Sequence, residues 1–217
     1  VTANVPDPLP PEAELALAWS RQKVRGPLSI ALQLDRRLAR IVGRTHEPVL
    51  GQMRLAWWRE ALGKPVPERP RGDAVLDGIG MHWQGREAAL VDMIDGWEVL
   101  VTAEALGAEH ATAFGKGRGA FFAALASDRE AEGRLGAAGM RWALADAAAG
   151  VSDPAERAVL VAAGLAAGDP PGRFAAGLRG LAVLDLLAMR SLKRGGRPLM
   201  EGRGAPLAVL RGAIFGR

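Results

Sequence analysis

Cysteine and tyrosine are absent from the 217 residues, and aromatic residues make up only 5% of the chain. Without a thiol there is no disulfide scaffold, no thiolate nucleophile, no cysteine-based zinc site and no iron–sulfur cluster. The three histidines, His46, His82 and His110, show no short metal-ligand spacing. The longest apolar stretches, such as 158–167, run to about ten residues, half of the roughly 20 that span a bilayer. The segment from Val1 to Pro11 is proline-rich, carries Asp7 and lacks the basic start and apolar run of a signal peptide. Ile and Thr are scarce while Ala and Leu abound, which argues against a sheet and for helices. A chain of this length buries roughly 70–75% of its unfolded surface, so it needs no staple. These absences predict a soluble, cytoplasmic, all-α protein.

The charge is unevenly spread. Formal net charge is +4, yet the stretch from Arg190 to Arg217 holds six Arg, Lys193 and the single acid Glu201, a local +6. The first 189 residues therefore sum to −2. A basic tail of this kind suits an acidic membrane leaflet, a partner protein or a nucleic acid.

Helical periodicity recurs from end to end, and the expected organisation is a lead at 1–10, a helical domain at 11–189 and a basic C-terminal segment at 190–217. Pro11 opens a helix over Glu12–Lys23, and Pro27 opens a second over Leu28–Val42. Thr45 and Pro48 mark the next start, whose apolar stripe reads Leu50, Met53, Trp57 and Ala61. Gly63–Gly72 is a loop; Asp73 caps a helix to Trp83, and Glu87–Leu106 is a longer one. Ala111–Leu125 is interrupted by Gly115, Gly117 and Gly119, which either break it or permit close packing. Glu130–Ala149 follows, and Ser152 with Pro154 and Glu156 opens another helix as N-cap and charged first turn. After a break at Gly168–Gly172 come Arg173–Arg194 and Ala205–Phe215, making about nine or ten helices.

The strongest local signal is the run from Glu47 to Leu62, Glu-Pro-Val-Leu-Gly-Gln-Met-Arg-Leu-Ala-Trp-Trp-Arg-Glu-Ala-Leu. Adjacent tryptophans on a helix point about 100° apart. Trp57 continues the apolar stripe, so Trp58 packs on a flank or lines a pocket, with Arg54 on the same flank. Together with Arg25 upstream and Leu90-Val-Asp-Met-Ile-Asp-Gly-Trp-Glu98 downstream, this succession resembles the squalene/phytoene synthase family over about residues 15–150.

The resemblance implies an isoprenoid-synthase-like helical fold and, in active members, head-to-head condensation of two prenyl diphosphates. Two Asp-x-x-x-Asp motifs there hold Mg²⁺ on the diphosphates, because i, i+4 spacing puts both carboxylates on one helix face. This chain departs from that pattern. The first pair falls where Leu38 and Val42 stand, on a helix whose one carboxylate is Asp35; in the second region, Leu135–Ala149, only Asp146 remains. Leu100 occupies another aspartate position, and the tyrosines lining the family's pocket have no counterpart here. The resemblance leaves Arg25, Arg54, Trp58, Asp35 and Asp146 as candidate substrate-binding residues, with no catalytic or metal-ligating set and no cofactor unless an active enzyme uses Mg²⁺.

Other clusters have structural readings beside the chemical ones. Asp73/Asp77 and Asp128/Glu132 each open a helix, where capping and the helix dipole explain them. Asp92, Asp95 and Glu98 form a stripe that reads as a solvated face, with cation binding as the alternative. Asp185, inside the apolar run 181–188, needs a buried partner, which Arg141, Arg179 or Arg190 can supply. His46 reads as a surface turn residue. The Gly-Lys-Gly-Arg-Gly run at 115–119 follows no strand and lacks a P-loop ending, so it is not read as a phosphate loop.

Three functional readings follow. The first is a squalene/phytoene-synthase-like protein without its metal chemistry, an assembly or scaffold protein or a binder of an isoprenoid or lipid tail. The mitochondrial complex I assembly factor is a member of the family of this kind, and the basic tail would dock on a membrane protein or an acidic membrane surface, placing the chain peripherally on the inner membrane. The second is an active prenyltransferase in which Arg25 and Arg54 hold diphosphate and Asp35, Asp146 or the Asp92 stripe holds Mg²⁺. The discriminating feature is whether Asp35 and Asp146 face each other across a cavity that admits a diphosphate. The third, a nucleic-acid-binding protein, is disfavoured by the slightly acidic first 189 residues and the lack of a helix-turn-helix signature.

Overall fold

Proline and aspartate set most of the helix starts. The computed structural model describes residues 8–44, 47–168 and 172–216, among which there are ten α-helices and no strand. Pro11 occupies the first turn of α1 (Pro11–Ala18), where its missing N–H costs nothing. Pro48 does the same for α3 (Pro48–Gly63), after the long α2 (Gln22–Arg44). The Thr45 start and His46 lie outside the described residues. The Asp73 carboxylate accepts from the Val75 and Leu76 amides to cap α4 (Ala74–His82). α5 (Ala88–Thr102) and α6 (Ala108–Ala123) follow. Asp128 caps α7 (Arg129–Gly150), and Asp153, rather than the expected Ser152, caps α8 (Pro154–Ala166). A short 3₁₀ turn at Ala176–Leu178 leads into α9 (Arg179–Lys193), and α10 (Ala205–Phe215) closes the bundle.

Four sequence-based boundaries move. The helix expected over Glu12–Lys23 is divided at Trp19–Arg21, and Pro27 lies inside α2 rather than at its start. Pro27 cannot donate to the Lys23 carbonyl, but its own carbonyl accepts from the buried Trp83 Nε1 at 2.9 Å, which ties α2 to the end of α4. Arg25 closes the α1 end by donating to the Leu17 and Ser20 carbonyls at 3.0 and 3.1 Å. The helix expected from Arg173 begins at Arg179, and the boundary drawn at 189/190 falls within α9.

α6 is the centre of the packing, with α5 on one side and α7 on the other. Its glycines leave the helix unbroken and let backbones touch. A Cβ at Gly117 would come within 2.8 Å of Gly96 Cα on α5, and one at Gly119 within 2.3 Å of the Gly139 carbonyl carbon on α7. Beside this seam Phe121 and Phe122 pack on Trp142, at ring-centroid distances of 5.5 and 5.6 Å. α7 also carries α8 and α9, α9 carries α1 and α10, and α2 lies against α4 and α5.

Candidate functional site

The middle of α6 places one charged side chain in this apolar interior. Arg118 follows Gly117 and precedes Gly119, and its side chain is 3% exposed. The two helices that could neutralise it each supply one carboxylate, Asp35 from α2 and Asp146 from α7. Arg118 Nε and Nη2 donate to Asp35 Oδ1 and Oδ2, both at 2.8 Å, a bidentate fork that suits a planar guanidinium. Nη2 also donates to Asp146 Oδ2 at 2.6 Å and Nη1 to the Ala143 carbonyl at 3.0 Å. Trp97 Nε1 donates to Asp35 Oδ1 at 2.8 Å. The guanidinium carbon lies 4.8 Å from the Trp97 ring centroid and 4.6 Å from that of Trp142, within cation–π range of both. Burial alone pulls the Arg118 pKa down, but Asp35 and Asp146 outweigh it and leave the pKa above its ordinary value.

Asp35 and Asp146 therefore do face each other, as the active-enzyme reading requires, but the space between them holds a side-chain cation. The adjoining cavity lies between Pro10, Glu12 and Ala13 of the α1 segment and the Asp35, Arg118 and Asp146 side chains. Its volume is about 20 Å³, room for about one water molecule. Glu12 sits there with its pKa raised by burial, and by Asp146, against the lowering effects of a backbone hydrogen bond and Arg36. The Mg²⁺ implied by the resemblance does not fit these residues. Both Asp35 oxygens already accept hydrogen bonds, Asp146 is bonded to the same guanidinium, and Leu38, at an expected ligand position, is fully buried core. Among the described residues no group of three His, Cys, Asp or Glu side chains is placed to hold a metal ion.

The other three candidate residues lie elsewhere. Residues two apart on a helix point about 200° apart, and Arg37 accordingly faces away from the centre. It donates to Asp73 at 2.7 Å and lies 6.0 Å from the Trp58 ring centroid. Trp58 is thus on the far face of α2 from Asp35. Arg25 is engaged with the α1 carbonyls, and Arg54 is exposed.

The tryptophan assignment on α3 is reversed. Trp58 is 3% exposed and packs in the core, while Trp57 is 43% exposed. Leu55, Trp58 and Leu62 form the buried stripe, and the expected core residues Leu50 and Met53 face outward with Trp57.

Asp185 has the buried partner that its position demands. Arg141 grips it through Nε and Nη2 at 2.7 and 2.9 Å, joining α7 to α9. The Asp92 stripe is a surface ion-pair face in part, since Arg59 donates to both Asp95 and Glu98. Burial raises the Asp92 pKa, and Asp95 adds to it. Asp92 and Lys116 line an open groove of about 690 Å³ between α5, α6 and α7, whose wall is mostly Ala and Gly.

Sequence reasoning missed Arg118, Trp97 and Trp142. Arg118 lies in the Gly-Lys-Gly-Arg-Gly run, whose glycines draw attention to the backbone; the signal that marks it is the one that marks Asp185, a charge amid apolar residues (Phe114 and Phe121–Phe122) that demands a buried partner. No family model, curated protein or solved structure matches the chain.

Proposed function

We propose that the chain is a diverged squalene/phytoene-synthase-like protein that keeps a helical bundle without metal-assisted diphosphate chemistry and acts as an assembly or scaffold protein. The observation that carries the reading is Arg118, which engages both surviving carboxylates from within the chain beside a cavity too small for a diphosphate. Ionising an allylic diphosphate needs Mg²⁺ or free cations at the phosphate oxygens. Here the central cation is already paired, and Arg25 and Arg54 do not converge on it. The α3 surface also suits assembly. Val49 and Met53 are each 64% exposed, Leu50 is 44% exposed, and with Trp57 they make a contiguous outward apolar face.

A second reading, binding of an isoprenoid or lipid tail, draws its support from the groove between α5, α6 and α7. Its volume of about 690 Å³ is within the range of small-molecule sites. One experiment separates these readings. Purified protein is incubated with farnesyl or geranylgeranyl diphosphate, with and without Mg²⁺, while binding and released pyrophosphate are both followed. The expected result is no pyrophosphate and no Mg²⁺-dependent binding. Metal-dependent turnover would overturn the proposal in favour of an active prenyltransferase. Saturable binding without turnover would move the assignment to the tail-binding reading.

A further inference from the structure

α10 packs on α9 through a narrow contact. Ala205, Gly212 and Ala213 are buried, and a Cβ at Gly212 would come within 2.9 Å of the Val183 backbone. At about 100° per residue, Leu207, Leu210 and Ile214 lie within an arc of about 60° on the opposite side. They are 70%, 50% and 50% exposed, with Phe215 at 53% beside them. Four large apolar side chains in this arrangement are a face, not scattered surface residues.

The chemistry around this face selects what covers it. Arg211 is the one polar side chain on α10, which has no acid, amide or hydroxyl residue. Lys193, Arg194, Arg197 and Arg203, in the segment leading to α10, are all exposed, and the only acid from Arg190 onward, Glu201, lies 3.4 Å from Arg194. A protein partner is held by a rim of directional hydrogen bonds as well as by an apolar centre. The side chains around this face supply cationic donors and, in Glu201, a single acceptor, so they lack the mix of donors and acceptors that a protein rim pairs with. An anionic lipid surface needs no such mixed rim: it takes apolar side chains to shallow depth and attracts charge of one sign. Among the described residues no helix is long and apolar enough to cross a membrane; α10 has 11 residues, about half of what a span needs, so lipid contact through its outward side chains places it along the surface.

We propose that the outward face of α10, with Arg203 and Arg211, docks the protein on an anionic lipid bilayer. The inference is independent of the lost-chemistry reading, because vesicle binding needs no prenyl diphosphate. The test is co-sedimentation of the full chain with phosphatidylcholine vesicles and with vesicles of phosphatidylcholine and phosphatidylglycerol in equal parts. Two double variants, Leu207→Ser/Ile214→Ser and Arg203→Gln/Arg211→Gln, are run beside it, each checked for unchanged thermal unfolding; both alter exposed side chains. Binding to the anionic vesicles alone is expected, weakened about tenfold or more by either pair and by raised salt. Failure to sediment with anionic vesicles would overturn the proposal, as would binding unchanged in both variants. Capture on polyglutamate without capture on vesicles would also overturn it, in favour of an acidic protein partner.

Discussion

Arg118 and Asp35 are nearly inaccessible to water, and removing two such charges from solvent costs several kcal/mol per ion after relaxation. The fork between them, the Trp97 indole N–H and the two flanking tryptophan rings offset that cost only while every member is present. Arg118→Ala is therefore expected to destabilise the fold by about 3–5 kcal/mol, because it strands a buried carboxylate. Asp35→Asn/Arg118→Met should recover at least half of that loss, since the Asn carbonyl still accepts from Trp97 and no uncompensated charge remains at that depth. Urea unfolding of the three proteins checks this. A double variant as unstable as the single would show that Arg118 acts through packing on the rings instead of through charge.

The α5–α6–α7 seam shows at the scale of elements how glycine position decides the sign of a substitution. Gly119→Ala gains helix propensity of up to about 1 kcal/mol. Its new methyl would meet the Gly139 backbone, which cannot move aside as a side-chain end would. Overpacking of this kind costs about 1–3 kcal/mol, so net destabilisation is expected. Gly133, on the same α7 with nothing within 4 Å of a Cβ, is the control, and Gly133→Ala should stabilise by about 0.5–1 kcal/mol. Thermal melts of the two variants should move in opposite directions. Elements marked by strong local chemistry, such as the Asp73 and Asp128 caps and the Pro48 start, were legible in the sequence. The facing of α3 was not. Leu50, Met53 and Trp57 are as apolar as Leu55, Trp58 and Leu62, so periodicity finds two stripes and only the packing against α2 and α5 selects the buried one. Arg118 and Asp35 were illegible as a pair for a related reason: 83 residues separate them, and no local pattern measures that distance.

At the scale of the whole molecule, buried ion pairs and small-residue seams link the helices in series. Arg118 joins α6 to α2 and α7, Arg141–Asp185 joins α7 to α9, and α9 carries α10. The basic C-terminal segment is part of that series, although composition alone sets it apart as a tail. Leu192 and Leu199 are 1% and 4% exposed, Ala205 is fully buried, and Ser191 Oγ donates to the Arg197 carbonyl, closing the turn after α9. Removing residues 191–217 would strip the last turn of α9 and expose the backbone of Ala182 and Val183 where Gly212 now rests. Burying each leucine contributes about 1.5–3 kcal/mol. For a chain of this size each kcal/mol corresponds to about 2–4 °C in Tm, so truncation after Arg190 is expected to lower Tm by roughly 10 °C or more. Far-UV and near-UV circular dichroism melts of the full chain should coincide in one transition, and the truncated chain should lose near-UV signal first. A truncated protein that melts with the full chain's Tm would instead make 191–217 an independent appendage. The distinction governs how function is assigned, because loss of any activity on truncation would then report the segment's charge, whereas in an integral bundle it reports the loss of α9 and α10 packing.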